Sequence, residues 1–216
     1  MKLLLVAKAP VAGRVKTRLG ALVGYDVAAD LAAAALLDTI DACHATGAAR
    51  HLSLAGDLSA AVRGEEIRSA LDGWTITPQV GEGFADRLVR AHLDAGPRIV
   101  VQIGMDTPQV TAADLHEVAD LIAGHDAVLA PATDGGWWAL ARRDANVVRH
   151  LAQVSMSTST TCADTWRALE RAGARVAQAS ALTDVDTLDD AELVAGLAPA
   201  TRFAEAWRAV RAEVTW

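Results

Sequence analysis

Met1-Lys-Leu-Leu-Leu-Val-Ala-Lys8 runs straight into Ala9-Pro-Val-Ala-Gly-Arg-Val-Lys-Thr-Arg-Leu-Gly20, and this junction decides how the chain is read. Residues 3–7 are apolar without alternation, the pattern of a strand buried on both faces of a parallel sheet. The turn after them holds Pro10 and Gly13 and carries four cations, Lys8, Arg14, Lys16 and Arg18. In open α/β sheets, ligands bind in the crevice beyond the carboxyl ends of the strands. Cations gathered there call for an anionic partner, and the phosphates of a nucleotide fit; a solvated basic turn is the plainer alternative. The Walker spacing and the three-glycine dinucleotide fingerprint are both absent. Such a loop would grip phosphate with side chains as well as amides, arginine as a planar fork and lysine as a point charge.

Working outward, apolar runs and helical periodicity alternate along the chain. Strands are expected at 3–7, 51–55, 74–78, 98–103 and 127–132, with helices at 25–46, 59–71, 84–94 and 111–123 between them. This order predicts a mostly parallel sheet covered by helices on both faces. Beyond residue 133 the order loosens. Strands are expected at 137–141 and 175–179, and helices at 161–172, 187–197 and 202–214. No linker or repeat interrupts the 216 residues, so a single domain over 1–216 is expected.

Composition narrows the partners. With 52% hydrophobic and 22% charged residues the chain reads as a globular domain with one sizeable core. Its net charge of −7 makes the basic loop a local site on a negative surface, which favours a small anion over nucleic acid. Cys43 and Cys162 have no metal spacing and suit a reducing, cytoplasmic setting. Neither a leader sequence nor a run long enough to span a membrane is expected. The scattered histidines give no zinc pattern.

Three further segments end in groups suited to chemistry. After strand 98–103 comes Gly104-Met-Asp-Thr-Pro108, which puts Asp106 in the same crevice as the basic loop. A carboxylate beside phosphates implies a divalent cation between them, and Mg²⁺, or Mn²⁺ in its place, binds that way. The competing reading has Asp106 capping the helix near Thr111. As an acid in an exposed loop, it should be replaceable by Asn with little loss of stability. The stretch 182–190 is rich in acids; Asp186 is the one assigned to metal, and helix capping accounts for most of the others. Pro131-Ala-Thr-Asp-Gly-Gly-Trp-Trp138 forms a tight turn. There Asp134 can meet metal or acceptor or close an Asx-turn, Gly135 and Gly136 give room, and Trp137 can stack on a ligand while Trp138 enters the core. A weaker signal is Gln79-Val-Gly-Glu-Gly-Phe-Ala-Asp-Arg87. Gln79 could read a base edge, Gly81 and Gly83 keep the approach open, and Arg87 could reach phosphate or pair with Asp86.

In order, AKAPVAGRVKTRL, QVGEGFADRL, GMDTP, APATDGGWW, MSTSTT and LTDVDTLDD span nearly the whole chain. Together they resemble the GT-A superfamily of nucleotide-sugar glycosyltransferases and nucleotidyltransferases, and within it the bacterial glycosyltransferase-like family DUF2064. The KTRL element is also similar to the 2-phospholactate and molybdenum-cofactor guanylyltransferases. Departures from the family pattern are Met105, Thr107 and the Trp137-Trp138 pair. The resemblance implies a three-layer α/β/α, Rossmann-like fold. It also implies a nucleotide site of Ala7, Lys8, Gly13, Arg14, Lys16, Arg18, Gln79, Gly81, Gly83 and Arg87, with metal on Asp106 and Asp186. Asp134, Gly135, Gly136 and Trp137 would face the acceptor, and Lys16, Arg18, Asp106 and Asp134 would act in catalysis.

The basic loop favours one chemistry. A nucleotidyltransferase must hold a triphosphate and stabilise departing pyrophosphate, whereas a glycosyltransferase can leave a nucleoside diphosphate largely to its metal. The expected activity is therefore metal-dependent nucleotidyl transfer from an NTP to a small phosphorylated acceptor. Transfer from a nucleotide-sugar is the alternative, and a nucleotide-binding module without catalysis is a third reading. The partners expected are the donor and a small-molecule acceptor, with no nucleic acid, and the chain as monomer or homodimer. The last helix, with Phe203, Trp207, Val210 and Val214 in step, would close either the core or a dimer seam.

Overall fold

The structure, a computed structural model, describes residues 1–213; Val214 lies outside them. Its centre is β1 (Lys2–Lys8), whose run is apolar because both sides of the strand are covered. Leu3, Leu5 and Ala7 enter a core shared with α2 (Tyr25–Ala45), α3 (Gly64–Ala70) and α5 (Ala112–Leu121). Leu4 and Val6 face the other way, toward α4 (Phe84–Asp94).

β2 (Ala49–Ala55) and β3 (Thr75–Pro78) extend the sheet on one side of β1. β4 (Val100–Ile103), β5 (Ala127–Pro131), β6 (Trp137–Arg142) and β7 (Val176–Gln178) extend it on the other. The strand order is β3-β2-β1-β4-β6-β5-β7. All strands are parallel except β6, which runs antiparallel to both β4 and β5. α4, a 3₁₀ segment at Val147–Gln153 and α6 (Thr161–Arg171) form one helical layer. The opposite layer is α2, α3 and α5. This is the mostly parallel, three-layer α/β architecture expected from the alternating pattern.

α1 (Thr17–Val23), α7 (Leu188–Leu197) and α8 (Arg202–Glu213) pack outside α2 around a smaller core. Alanine at position after position in α2 lets neighbouring backbones approach on two sides. Phe203 and Trp207 of α8 are buried in this core, and the carboxylate of Asp38 in α2 accepts the backbone N–H groups of Arg202 and Phe203 at 3.0 and 2.9 Å. α8 thus has its N-terminus capped by another helix, which satisfies amides that no residue of its own can reach. None of the described helices is long and apolar enough to cross a membrane.

Two features differ from the sequence reading. α1 is a helix where only a loop was expected; it is seven residues long and follows directly on Lys16, which takes a left-handed φ of 45°. The single helix expected over 59–71 is instead a 3₁₀ turn, Leu58–Ala60, followed by α3. Arg63, at φ 53°, breaks the path between them, and Gly64 sits so close to the Leu58 carbonyl that no side chain would fit.

The turn between β5 and β6 is tied to the serine- and threonine-rich segment before α6. The Cys162 N–H donates to Gly135 O at 2.8 Å. Gly135 has φ 92°, and a methyl group there would lie 2.1 Å from Ser159 O. Gly135→Ala should therefore destabilise the protein by at least about 2 kcal/mol in urea melts, from strain and overpacking together. A loss under half of that would mean that the two segments can separate freely.

Candidate functional site

The parallel strands β1 to β4 deliver their following loops to one edge of the sheet. Because β6 is antiparallel, its first residue, Trp137, arrives at the same edge. The segment after β7 joins them there: Leu182 pairs with Ala132, and the Val185 N–H donates to Asp106 O at 2.9 Å. Val185 is buried in the core around α7, so its neighbours Asp184 and Asp186 in this extended stretch point the other way, beside Asp106.

The centre of the edge is an ion cluster. Lys16 Nζ lies 2.6 Å from Asp106 Oδ1 and 3.0 Å from Asp186 Oδ1, and the lysine side chain is only 8% exposed. Burial pulls its pKa down, but the two carboxylates more than offset that, and its pKa is raised. Asp186 shows the mirror image. Burial opposes its charge, yet Lys16 and then Arg18 hold its pKa below the ordinary carboxylate value. Arg18 is mostly exposed and stands 3.8 Å from Asp186, a loose contact. The cap expected of Asp106 is made elsewhere: Thr111 and Asp114 form a capping box on α5, and Thr187 and Asp190 do the same for α7. Asp106 and Asp186 are thereby left for Lys16.

Three cavities meet at Met105 and Asp106, which line all of them. The first, of about 310 Å³, is the basic one and includes Lys8, Arg14, Lys16 and Arg18 with Asp186. The second, of about 520 Å³, runs over Ala7, Gly56, Gln79, Gly81 and Arg87. The third, of about 210 Å³, has Asp134, Asp184, Trp137, Phe84 and Gln102 in its wall. Gly13 and Gly83 line none of the three, and neither does Gly135. Met105 closes the floor from beneath the basic loop, its sulfur accepting the Lys8 N–H at 3.2 Å.

Several side chains are used differently from the sequence reading. Gln79 turns its amide nitrogen inward, onto Ala7 O at 2.9 Å and Ser53 O at 3.1 Å. Only its carbonyl oxygen remains to meet a base, so the donor half expected there is spent on the strand ends. Arg87 lies over the Phe84 ring instead of pairing with Asp86. Asp134 closes an Asx-turn, Oδ1 accepting the Gly136 N–H at 2.7 Å, and still lines the third cavity. Trp137 does the same with its indole N–H held by Thr165 Oγ1 at 3.2 Å, whereas Trp138 is buried and donates to Ser180 O.

Asp184 was passed over in the sequence as one acid among several. Burial first, then the negative charges of Asp106 and Asp134, raise its carboxyl to about 7 against the pull of Lys16. It is therefore poised to exchange a proton near neutral pH inside the third cavity. Gln102 was passed over too. Its only signal was a glutamine in the otherwise apolar run at 99–103.

Asp106 and Asp186 fit a divalent cation, because a positive charge already sits between them in the form of Lys16. Among the described residues no cluster of three or more His, Cys, Asp or Glu could hold a metal. Two carboxylates completed by water and substrate phosphates is the way Mg²⁺ is commonly held.

A family model described as "Uncharacterized protein conserved in bacteria (DUF2064)" matches residues 38–158, more than half of the chain. The chain belongs to DUF2064. The matched part contains Asp106 and Asp134, while Lys16 and Asp186 lie outside it. No curated protein matches the chain. Among solved structures, a protein from Desulfovibrio desulfuricans G20, provisionally named a nucleotide-diphospho-sugar transferase, is 25% identical; the match covers 98% of this DUF2064 chain and 94% of that one, with a TM-score of 0.81. Rv0371c of Mycobacterium tuberculosis, solved with manganese, is 21% identical over 93% of this chain and 99% of its own, with a TM-score of 0.55. The 4-diphosphocytidyl-2C-methyl-D-erythritol synthase of Anaerococcus prevotii shares the fold at 10% identity, covering 97% and 98% of the two chains with a TM-score of 0.56.

Two outcomes test the cluster. Lys16 and a metal compete for the same oxygens, so Lys16→Met should bind Mn²⁺ without nucleotide about tenfold tighter than the parent in an EPR titration. Weaker or equal binding would show that the carboxylates are not the metal's. For Asp184, a proton held up to about 7 in the folded chain, against 3.8 for a free aspartate, costs stability as pH rises through that window. Asp184→Asn should then be more stable than the parent at pH 8 by about 2–4 kcal/mol, with the gap closing near pH 4. Urea melts across that range would refute this if the gap did not change.

Proposed function

We propose that this protein is a metal-dependent nucleotidyltransferase that moves a nucleotidyl group from an NTP to a small phosphorylated acceptor and releases pyrophosphate. The observation that carries the proposal is the basic cavity beside the paired acids: Lys8, Arg14 and Arg18 ring Lys16, which is itself held by Asp106 and Asp186. A triphosphate needs several cations along its length, and this cavity supplies them. The base would lie over Ala7 and Gly56, with the Gln79 carbonyl oxygen offered to a base N–H. An acceptor phosphate oxygen, coming from the third cavity, would attack the α-phosphorus as the bond to the β-phosphate oxygen breaks. Lys16 and Arg18 would neutralise charge on the departing pyrophosphate, and Asp106 and Asp186 would hold the metal. The metal would neutralise phosphate charge and align the reacting groups. The manganese in the Rv0371c structure supports the choice of a divalent ion. We read residues 1–216 as one domain that carries the whole site.

Glycosyl transfer from a nucleotide-sugar is a second reading, and Asp184 is the observation in its favour. A carboxyl raised to about 7 in the acceptor cavity is suited to take a proton from an attacking hydroxyl. The provisional name of the Desulfovibrio relative points the same way.

Incubation with each NTP, Mg²⁺ and a pool of phosphorylated small molecules should yield pyrophosphate. Nucleotide-sugars should yield no nucleoside diphosphate; diphosphate without pyrophosphate would reverse the choice. Asp106→Asn should lower turnover at least about 100-fold. Contrary to the expectation for an exposed loop acid, it should also lower stability by about 1–3 kcal/mol, because Asp106 is one of two anions holding a buried ammonium. Unchanged turnover would remove Asp106 from the reaction.

A further inference from the structure

Gln102 is a polar residue on a face of the sheet that is otherwise apolar. It lies on β4, is only 3% exposed, and shares that face with Leu4, Val6 and Val100. Behind it stand two more buried polar residues, His92 at the end of α4 and Arg142 at the end of β6. Arg142 donates to three carbonyls, Arg98 O at 2.8 Å, His92 O at 2.6 Å and Gly96 O at 2.7 Å, and so caps the end of α4. Its Nε–H also donates to His92 Nδ1 at 3.4 Å, and His92 Nε2 lies 2.8 Å from Gln102 Oε1.

The direction of every bond in this chain follows from Arg142. A guanidinium can only donate, so His92 Nδ1 must accept. Burial and the nearby Arg142 lower the His92 pKa to about 3, so the ring is neutral and its one proton sits on Nε2. That N–H needs an acceptor, which fixes the Gln102 oxygen toward His92. The Gln102 amide nitrogen has no acceptor among the described residues and is left to the third cavity, whose wall Gln102 forms.

We infer that Gln102 presents a fixed hydrogen-bond donor at the floor of the acceptor cavity and selects acceptors with a sugar or polyol oxygen at that point. His92 and Arg142 are positioning residues that stop the amide from turning over. The rest of the cavity agrees with this class of ligand. Trp137 and Phe84 offer ring surface, Ser157 and Thr158 offer hydroxyls, and Asp134 and Asp184 can accept from hydroxyl groups. Asp106 and Asp134 in its wall would disfavour a second anionic group at its floor. The volume of about 210 Å³ suits one hexose-sized body. The inference rests on the acceptor role proposed above for this cavity.

The test is NMR on the ¹⁵N-labelled protein with Mg²⁺, using a pool of hexose phosphates and glycerol phosphate as the probe. Long-range spectra of the free protein should show His92 protonated on Nε2. Adding the pool should shift the Gln102 side-chain amide signals. Gln102→Glu keeps the oxygen that His92 needs and turns the cavity-facing donor into an acceptor. It should weaken pool binding, and raise KM for any acceptor turned over, by about tenfold, with kcat and NTP affinity within about twofold of the parent. His92 protonated on Nδ1, unmoved Gln102 signals, or a Gln102→Glu variant that binds the pool as the parent does would each overturn the inference. Whether pyrophosphate forms is read in a separate assay, so failure of the transferase reading and failure of this one remain distinct.

Discussion

A buried ammonium between two carboxylates organises this molecule. Lys16 comes from the loop after the first strand, Asp106 from the loop after the fourth, and Asp186 from the segment after the seventh. Three distant stretches of chain are thus drawn to one point by charge. Desolvating a lysine is costly unless its partners are close, and here both stand within hydrogen-bonding distance. The left-handed backbone of Lys16 belongs to the same arrangement, since it turns the chain sharply into α1. The cluster holds the three chain segments together at the strand ends.

The sheet was legible because its strands are covered on both sides, so residues 3–7 and 127–132 stand out as unbroken apolar runs and 98–103 as a largely apolar one. α1 was hidden because seven residues following a left-handed lysine carry no apolar period long enough to register. The break between Leu58–Ala60 and α3 was hidden because Arg63 has no marker for its left-handed φ; such positions are normally betrayed by glycine or asparagine. Asp106 and Asp186 could be chosen from their places after strands. What the sequence did not show was that they would be spent on Lys16, a pairing 90 and 170 residues apart in number, set by tertiary contact alone. Gln79 illustrates the same limit. Its residue type promised a donor and an acceptor, and only the packing of three strand ends decided which half stayed free.

Asp184 and Asp186 show how two adjacent acids acquire different properties from a single alternation. Both point away from the core because Val185 points in. Asp186 meets Lys16 and is held below the ordinary carboxylate value, whereas Asp184 is raised to about 7, first by burial and then by neighbouring acids. One segment therefore supplies an anion on the basic side and a carboxyl of raised pKa on the side of the third cavity, with Asp106 between them.

The reversed direction of β6 carries a consequence for how this scaffold can change. The basic cavity and the one beside it are built on loops that follow parallel strands, and each such loop leads into a helix that is part of the core. The third cavity shares Met105 and Asp106 with them and adds wall from a hairpin turn and from the segment leading into α6, which meet through Gly135 and Cys162. Substitutions or insertions in those two stretches can reshape what the cavity accepts while leaving Lys16 and its carboxylates in place. A single antiparallel strand thus brings to the strand ends a turn that carries neither Lys16 nor its two carboxylates.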